Sequence, residues 1–308
     1  MQIINLKHPG ENIAFAECGL VLGNFDGVHR GHQALVAELK RQNAARAERL
    51  LLGAFCFAEP PSRFLGNPTP QLITSEEKIE LLREQGLHFM VLYDFMEIKD
   101  LCPMDFVKDI LMGTLHCKLA VCGFNYSFGK KGAGKAQDLQ NWLGTQPGCE
   151  VHVVPAVTDG RHTVSSTVIR SMLEKGHPED ATRLLGRPFS VTGVVTRGKQ
   201  LGQAMGFPTA NIPFPAGSLV PAHGVYAVTV RVGKKTYYGI SNVGSRPTFD
   251  DGESVNCETF LFDFHGDLYG KTIRVSFLHF LRAERAFGSA DDLRAQIERD
   301  ITRALEYF

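Results

Sequence analysis

Nothing in this 308-residue chain approaches eighteen consecutive apolar residues, the length at which a run reads as a membrane-spanning helix. An excess of charge is equally missing, since 33 Lys and Arg balance 33 Asp and Glu. Without a basic field there is no counterion-release attraction for nucleic acid or an anionic membrane. The expected partners are therefore small molecules, with no nucleic acid and no membrane, and the chain is expected to be a monomer or weak homo-oligomer. Cysteine is sparse: seven residues, an odd number, with no Cys-x-x-Cys pair. That pattern indicates neither a zinc site nor a disulfide framework and fits reduced thiols in a cytoplasmic setting. The first residues, Met1 to His8, lack the apolar core of a secretory signal, which gives the same expectation.

What is present is ordinary globular composition, with 44% hydrophobic residues, in a length that suits one large or two ordinary domains. The most informative stretch is Gly23-Asn24-Phe25-Asp26-Gly27-Val28-His29-Arg30-Gly31-His32. It is preceded by the apolar run Cys18-Gly19-Leu20-Val21-Leu22 and followed by Leu35, Val36 and Leu39 at helical spacing. A buried strand thus enters a glycine-rich turn and then a helix. The glycines allow backbone to approach a ligand closely, and a helix start favours a phosphate. His29 and His32, three apart, fall on one face of the first helical turn. There they can stabilise charge developing on a transferring phosphoryl group.

Further along, Leu50–Phe57, Phe89–Tyr93, Leu119–Cys122 and Val151–Val154 read as buried strands, and Thr74-Ser75-Glu76-Glu77 opens a helix with a cap and acidic first turn. Strands alternating with helices predict a mostly parallel, doubly wound sheet. From Phe189 the pattern changes to short β runs at 191–195, 225–230, 237–241, 259–262 and 273–277, with a final helix from Ala290. This predicts a small antiparallel barrel and a domain boundary at Gly186, giving domains 1–186 and 187–308.

Three more constellations carry chemistry. Gly123-Phe124-Asn125-Tyr126-Ser127-Phe128-Gly129 offers aromatics and an amide to a flat heterocycle. Ser166, Thr167 and Arg170 open another helix, the arginine suited to a phosphate. Gly193 to Gln203 is a glycine-studded basic loop leading into Gly206-Phe207-Pro208-Thr209-Ala210-Asn211. On an extended segment Thr209 and Asn211 point the same way, and both are oxygen donors suited to Mg²⁺. Glu258, in a strand-type run, is a candidate base.

Together these residues resemble the bacterial bifunctional riboflavin kinase/FAD synthetase family over essentially the whole chain. The resemblance implies a Rossmann-like nucleotidyltransferase domain followed by a six-stranded riboflavin kinase barrel with a C-terminal helix. It implies ATP-dependent phosphorylation of riboflavin to FMN in the second half and adenylylation of FMN to FAD, with release of pyrophosphate, in the first. By that likeness Gly23, Phe25, Asp26, Gly27, His29, His32, Ser166, Thr167 and Arg170 bind ATP for adenylyl transfer, with His29, His32 and Arg170 catalytic. Asn125, Arg282, Glu284 and Phe287 contact flavin; Gly193, Gly198, Lys199, Gly202 and Pro208 form the kinase phosphate loop. Thr209 and Asn211 hold Mg²⁺, and Glu258 takes the proton from the riboflavin 5′-hydroxyl. Asn242, Gly244, Pro247 and Thr248 complete the kinase motif. The chain departs from the family pattern at Ala58-Glu59-Pro60-Pro61, Lys135 and Gln203. A kinase with a weak adenylyltransferase half, or a non-catalytic flavin-binding regulator, remains an alternative at this level.

Overall fold

A computed structural model describes residues 1–7, 17–197, 206–246 and 254–308. Gly198, Lys199, Gly202, Gln203, Pro247 and Thr248 lie outside the described residues. The chain forms two compact units, the first of residues 1–70 and 74–165, the second of 71–73 and 166–308.

The first unit is a parallel sheet of β1 (Gln2–Leu6), β2 (Cys18–Leu22), β3 (Leu51–Phe57), β4 (Phe89–Tyr93), β5 (Cys117–Gly123) and β6 (Glu150–Val154), ordered β1-β4-β3-β2-β5-β6. The five expected strands are present, and β1 joins them at the edge beside β4. β2 is buried along its whole length, as expected of a central strand covered on both faces. Helix α1 (Arg30–Ala45) buries Leu35, Val36 and Leu39, and helix α2 (Ser75–Glu84) starts with a full capping box. There the Thr74 hydroxyl accepts from the Glu77 amide at 3.2 Å while the Glu77 carboxylate accepts from the Thr74 amide at 3.3 Å. From β2 the chain winds one way through β3 and β4, then returns to place β5 on the other side. The topological switch point therefore lies between β2 and β5, and the crevice beyond their carboxyl ends is where such sheets take ligands.

The second unit opens with two helices, α3 (Ser166–Glu174) and α4 (Pro178–Leu185). Six antiparallel strands follow: β7 (Phe189–Val194), β8 (Thr209–Pro213), β9 (Gly224–Val232), β10 (Lys235–Arg246), β11 (Ser254–Leu261) and β12 (Thr272–Ala283), ordered β8-β11-β10-β9-β12-β7. The two outer strands approach each other: Thr196, just past β7, bridges to Asn211 on β8, and a Cβ on Gly193 would collide with Ile212. Glycine at 193 is thus a barrel-closing residue. The side chains of Ser241, Cys257 and Thr259 point to the interior of the barrel, where they bond one another.

Packing divides the chain between Ser165 and Ser166, ahead of the boundary expected at Gly186. The reason is the apolar side of the helix pair. Ala181, Leu184 and Leu185 are buried on α4, which packs on β12 and β7. The Glu179 carboxylate accepts the Phe280 amide at 3.2 Å, and the Leu173 carbonyl accepts the Ala222 amide at 2.9 Å.

Helix α5 (Ala290–Leu305), capped by Ser289, closes the barrel's outer face, packing Ile297, Ile301 and Ala304 against Val225, Ala227, Ile240 and Leu281. It is tied down by a nearly buried ion pair. Arg282 donates through Nε to both Asp300 oxygens at 3.1 and 2.9 Å, and Gln296 donates to the same carboxylate at 2.7 Å. Removing one member of such a pair strands the other's charge. Asp300→Ala is therefore expected to destabilise the second unit by about 3 kcal/mol, read as a fall in the denaturant midpoint of the barrel; an unchanged midpoint would show that the pair is solvated.

Candidate active sites

In the first unit the turn between β2 and α1 is strained. Phe25, Gly27 and Val28 have φ of 54°, 80° and 39°. A β-branched residue in the left-handed region is a genuine outlier, and such strain concentrates at functional turns. The consequence is a helix start presented at the switch point. His29 is the N-cap of α1, its Nδ1 accepting the His32 amide at 3.3 Å. A Cβ on Gly31 would sit 3.1 Å from the His29 ring, so glycine there lets the imidazole lie over the first turn. The two histidines, expected on one face from their spacing, stack with centroids 3.7 Å apart and planes within 14°.

His32 Nδ1 is buried with no hydrogen-bond partner among the described residues. Burial, then the neighbouring His29 and Lys78, pushes its pKa well below the usual imidazole range. It is neutral at neutral pH, and an arriving phosphate would supply both the missing partner and compensating charge. Phe25 is fully buried with its ring 5.0 Å from His32, and Asp26 is buried as well. Gly23 donates its amide to Phe55 across the sheet. These three shape the turn from beneath. Asn125 is exposed just past the end of β5, beside β2 in the sheet order, and Phe124 next to it leaves half its surface open.

An aromatic group that sequence reading missed lies past the end of β3: Phe57 meets Phe95 edge-on at 5.2 Å, and Phe95 stacks on the exposed Phe64 at 5.9 Å. The residues are far apart in sequence, so only the sheet order gathers them. Two departures from the family pattern are quiet. Glu59 pairs with Arg63 at 2.7 Å on the surface, and Lys135 donates to the Gly132 carbonyl at 2.6 Å.

In the second unit, Ser166, Thr167 and Arg170 sit on the first turns of α3, with Thr167 exposed and Arg170 half-buried. Around β8 the register does the assembling. Asn211 is the cross-strand partner of Glu258 on β11, which in turn faces Asn242 on β10. Directly opposed residues of antiparallel strands share a face, so Asn211, Glu258 and Asn242 form one polar row. Glu284 extends it, accepting from Asn242 Nδ2 at 3.3 Å, with His223 Nδ1 3.6 Å from its other oxygen. Asn211 is only 3% exposed and its Oδ1 has no hydrogen-bond partner among the described residues. Its backbone carbonyl is held by the Thr196 amide and hydroxyl.

Thr209, two residues before Asn211, opens onto a cavity of about 260 Å³ lined by Val195, Pro208, Leu261, Phe264 and Tyr269. An apolar, aromatic-edged slot beside oxygen donors suits the base of a nucleotide. Arg282 is engaged by Asp300, and its guanidinium also lies over the Phe287 ring at 5.7 Å. Its visible task is therefore to fix the helix and loop that follow the polar row. His223 and Asp300 had no signal in the sequence, since a lone histidine and a helix aspartate acquire meaning only from their partners.

Comparisons with known proteins bear on the family and the two activities. Residues 12–168 match the FAD synthetase family and 185–308 the riboflavin kinase family. The chain is 36% identical to the bifunctional riboflavin kinase/FMN adenylyltransferase of Listeria monocytogenes, covering 97% of this chain and 96% of that one. It is 34% identical to the Bacillus subtilis protein and 35% to that of Escherichia coli K12, each over 100% of this chain and 98% of the relative. A crystal structure from Streptococcus pneumoniae, described as a macrolide-efflux protein, superposes with a TM-score of 0.88 at 31% identity over 98% of both chains. No helix among the described residues here is long and apolar enough to cross a membrane. With two family matches in tandem and full-length relatives above 30% identity, the chain belongs to the bifunctional riboflavin kinase/FMN adenylyltransferase family, phosphorylating riboflavin with ATP and adenylylating the FMN to FAD.

Proposed function

We propose that the two activities are carried by the two constellations just described: adenylyl transfer by the stacked His29–His32 pair at the β2–α1 turn, and riboflavin phosphorylation by the Asn211–Glu258–Asn242 row. The observation that carries the assignment is that each constellation holds a buried atom without a hydrogen-bond partner among the described residues, His32 Nδ1 in one and Asn211 Oδ1 in the other, two of the seven such atoms and the two that face the proposed phosphate and metal sites. Buried polar atoms are nearly always satisfied, so each is a place kept for a ligand.

Adenylyl transfer needs alignment of the FMN phosphate with the ATP α-phosphorus and stabilisation of the charge that develops there. The turn supports both through the helix start and the two imidazoles. Gly23, Phe25, Asp26 and Gly27 hold its shape. Asn125 and the aromatic groups past β3 and β5 are suited to flavin. Ser166, Thr167 and Arg170 are assigned to ATP phosphate on the strength of their motif alone.

In the kinase reaction Glu258 accepts the proton of the riboflavin 5′-hydroxyl, and the cavity beside Thr209 takes the base of ATP. Glu284, with Phe287 and the anchored Arg282, borders the flavin side. Pro208 and the basic loop containing Gly198, Lys199 and Gly202 serve the phosphates, while Gly193 closes the barrel beneath them. Thr209 and Asn211 fit Mg²⁺: they are neutral hard oxygen donors, one of them an orphaned carbonyl oxygen, and magnesium commonly takes few protein ligands and fills the rest with water and phosphate. When bound, the ion neutralises charge on the ATP phosphates. Asn211→Ala is expected to raise the Mg²⁺ concentration for half-maximal riboflavin phosphorylation about tenfold, equivalent to ~1.4 kcal/mol. A kinase rate with wild-type Mg²⁺ dependence would remove Asn211 from the metal site.

We place the adenylyltransferase function in residues 1–186 and the kinase function in 187–308. The reading needs only small molecules as partners. A cytoplasmic setting is supported by the seven cysteines, all of which are free thiols.

A further inference from the structure

Lys78 is a charged residue near the β2–α1 turn that neither the motifs nor the mechanism uses. It sits on α2, the helix that packs against the Asp26–Val28 turn. Its side chain is only 8% exposed. Among the described residues its amine makes no hydrogen bond and no ion pair. Helix α2 is rich in carboxylates, yet they go elsewhere: Glu77 closes the capping box, and Glu76 is exposed. A lysine whose stem is largely buried and whose ammonium has no carboxylate partner among the described residues, beside a phosphate-binding turn, has an obvious counter-ion in an arriving phosphate. The groups that feel its charge point the same way. Its charge is felt both by His32 and by Cys56 on β3, the strand beside β2.

We propose that Lys78 is a phosphate-binding residue of the adenylyltransferase site, its ammonium pairing with a phosphate group that enters beside His32. This rests on the assignment of adenylyl transfer to the His29–His32 turn. The chemistry it recognises is a phosphate carrying at least one full negative charge. Two sources meet that description: the triphosphate of ATP and the 5′-phosphate of FMN. A lysine suits this task better than an arginine would, because its compact head is a point charge that follows a moving phosphate without imposing a bidentate geometry.

The test is Lys78→Met in the full-length chain, assayed for FAD formation from supplied FMN and ATP, with the thermal unfolding transition of the first unit and riboflavin phosphorylation by the same sample as the measures of intact folding. The expected result is a fall of about 10- to 100-fold in kcat/KM for adenylyl transfer, the scale of one charge-assisted contact, with kinase turnover within twofold of wild type. A raised KM for ATP together with weaker inhibition by pyrophosphate assigns the contact to the triphosphate; a raised KM for FMN alone assigns it to the flavin phosphate. Lys78→Arg, which keeps the charge, recovers most of the loss. Adenylyl transfer at wild-type constants in Lys78→Met overturns the proposal, as does a loss that Lys78→Arg shares with both KM values and pyrophosphate inhibition unaltered, since that is the signature of a packing role. If Lys78→Met does not fold, Lys78→Gln is read by the same criteria. Should a chain with both histidines replaced still make FAD, the site assignment itself fails. Should that chain lose FAD while Lys78→Met retains it, only Lys78 is wrongly placed.

Discussion

A chain carrying His29→Ala and His32→Ala is expected to convert riboflavin to FMN at the wild-type rate and to make essentially no FAD. The expected loss of adenylyl transfer is at least 10³-fold. A single preorganised donor to developing charge is worth about 10²–10³ in turnover, and this substitution removes two groups that stack 3.7 Å apart and that we propose act on the same phosphate. The double variant also removes the cap of α1, since His29 Nδ1 accepts the His32 amide. Loss of a cap costs about 1 kcal/mol, too little to unfold the sheet. His29→Asn separates the two effects, because asparagine is a good cap but has no imidazole. It should keep the stability and still lose FAD formation. Time-resolved separation of flavins after mixing with riboflavin and ATP reads both steps in one sample. FAD appearing at the wild-type rate would mean that the strained turn serves some other purpose.

The second large effect belongs to the barrel. Glu258→Ala is expected to slow riboflavin phosphorylation by about 10²–10⁴-fold, the range for loss of a general base, while FAD formation from supplied FMN continues. The register singles out this glutamate. It faces Asn211 on one side and Asn242 on the other, on the opposite face from the buried Cys257 and Thr259 that flank it in sequence. A carboxylate in that row lies next to the proposed metal ligands, where the hydroxyl of riboflavin and the γ-phosphate of ATP must meet. Glu258→Gln keeps the shape and the hydrogen bonding while removing the basicity, so it should fall as far as alanine does. A kinase rate within a few-fold of wild type in either variant would mean that the proton leaves by another route.

Much of this was legible in the residues. The strand–turn–helix of 18–40 has a period change and a glycine cluster that only a β–α junction explains, and the shared face of His29 and His32 follows from their spacing. The capping box at Thr74 and Glu77 was legible for the same local reason. What stayed hidden was long-range. β1 (Gln2–Leu6) is short and only partly buried, so it lacks the unbroken apolar run of the strands it joins. Asn211 and Glu258 could each be suspected singly, but their pairing depends on a register between segments almost fifty residues apart. Arg282 was expected as a flavin contact along with its motif neighbours Glu284 and Phe287; its partner Asp300 is visible only once α5 lies on the barrel. Lys78 sits in a helix whose sequence reads as an ordinary amphipathic surface, and only its burial marks it out.

The helix pair 166–185 gives the protein two seams that do not coincide. The match to the FAD synthetase family runs to residue 168, yet the side chains beyond that point are part of the second unit's hydrophobic interior. A kinase excised at Arg187 would expose the flank of β12 and β7 that α4 shelters, and would lose the Glu179 anchor of Phe280. One cut at Ser166 would keep its interior whole while carrying along part of its neighbour's signature. Residues 166–168 thus belong by sequence to one enzyme and by packing to the other unit, and no single cut serves both.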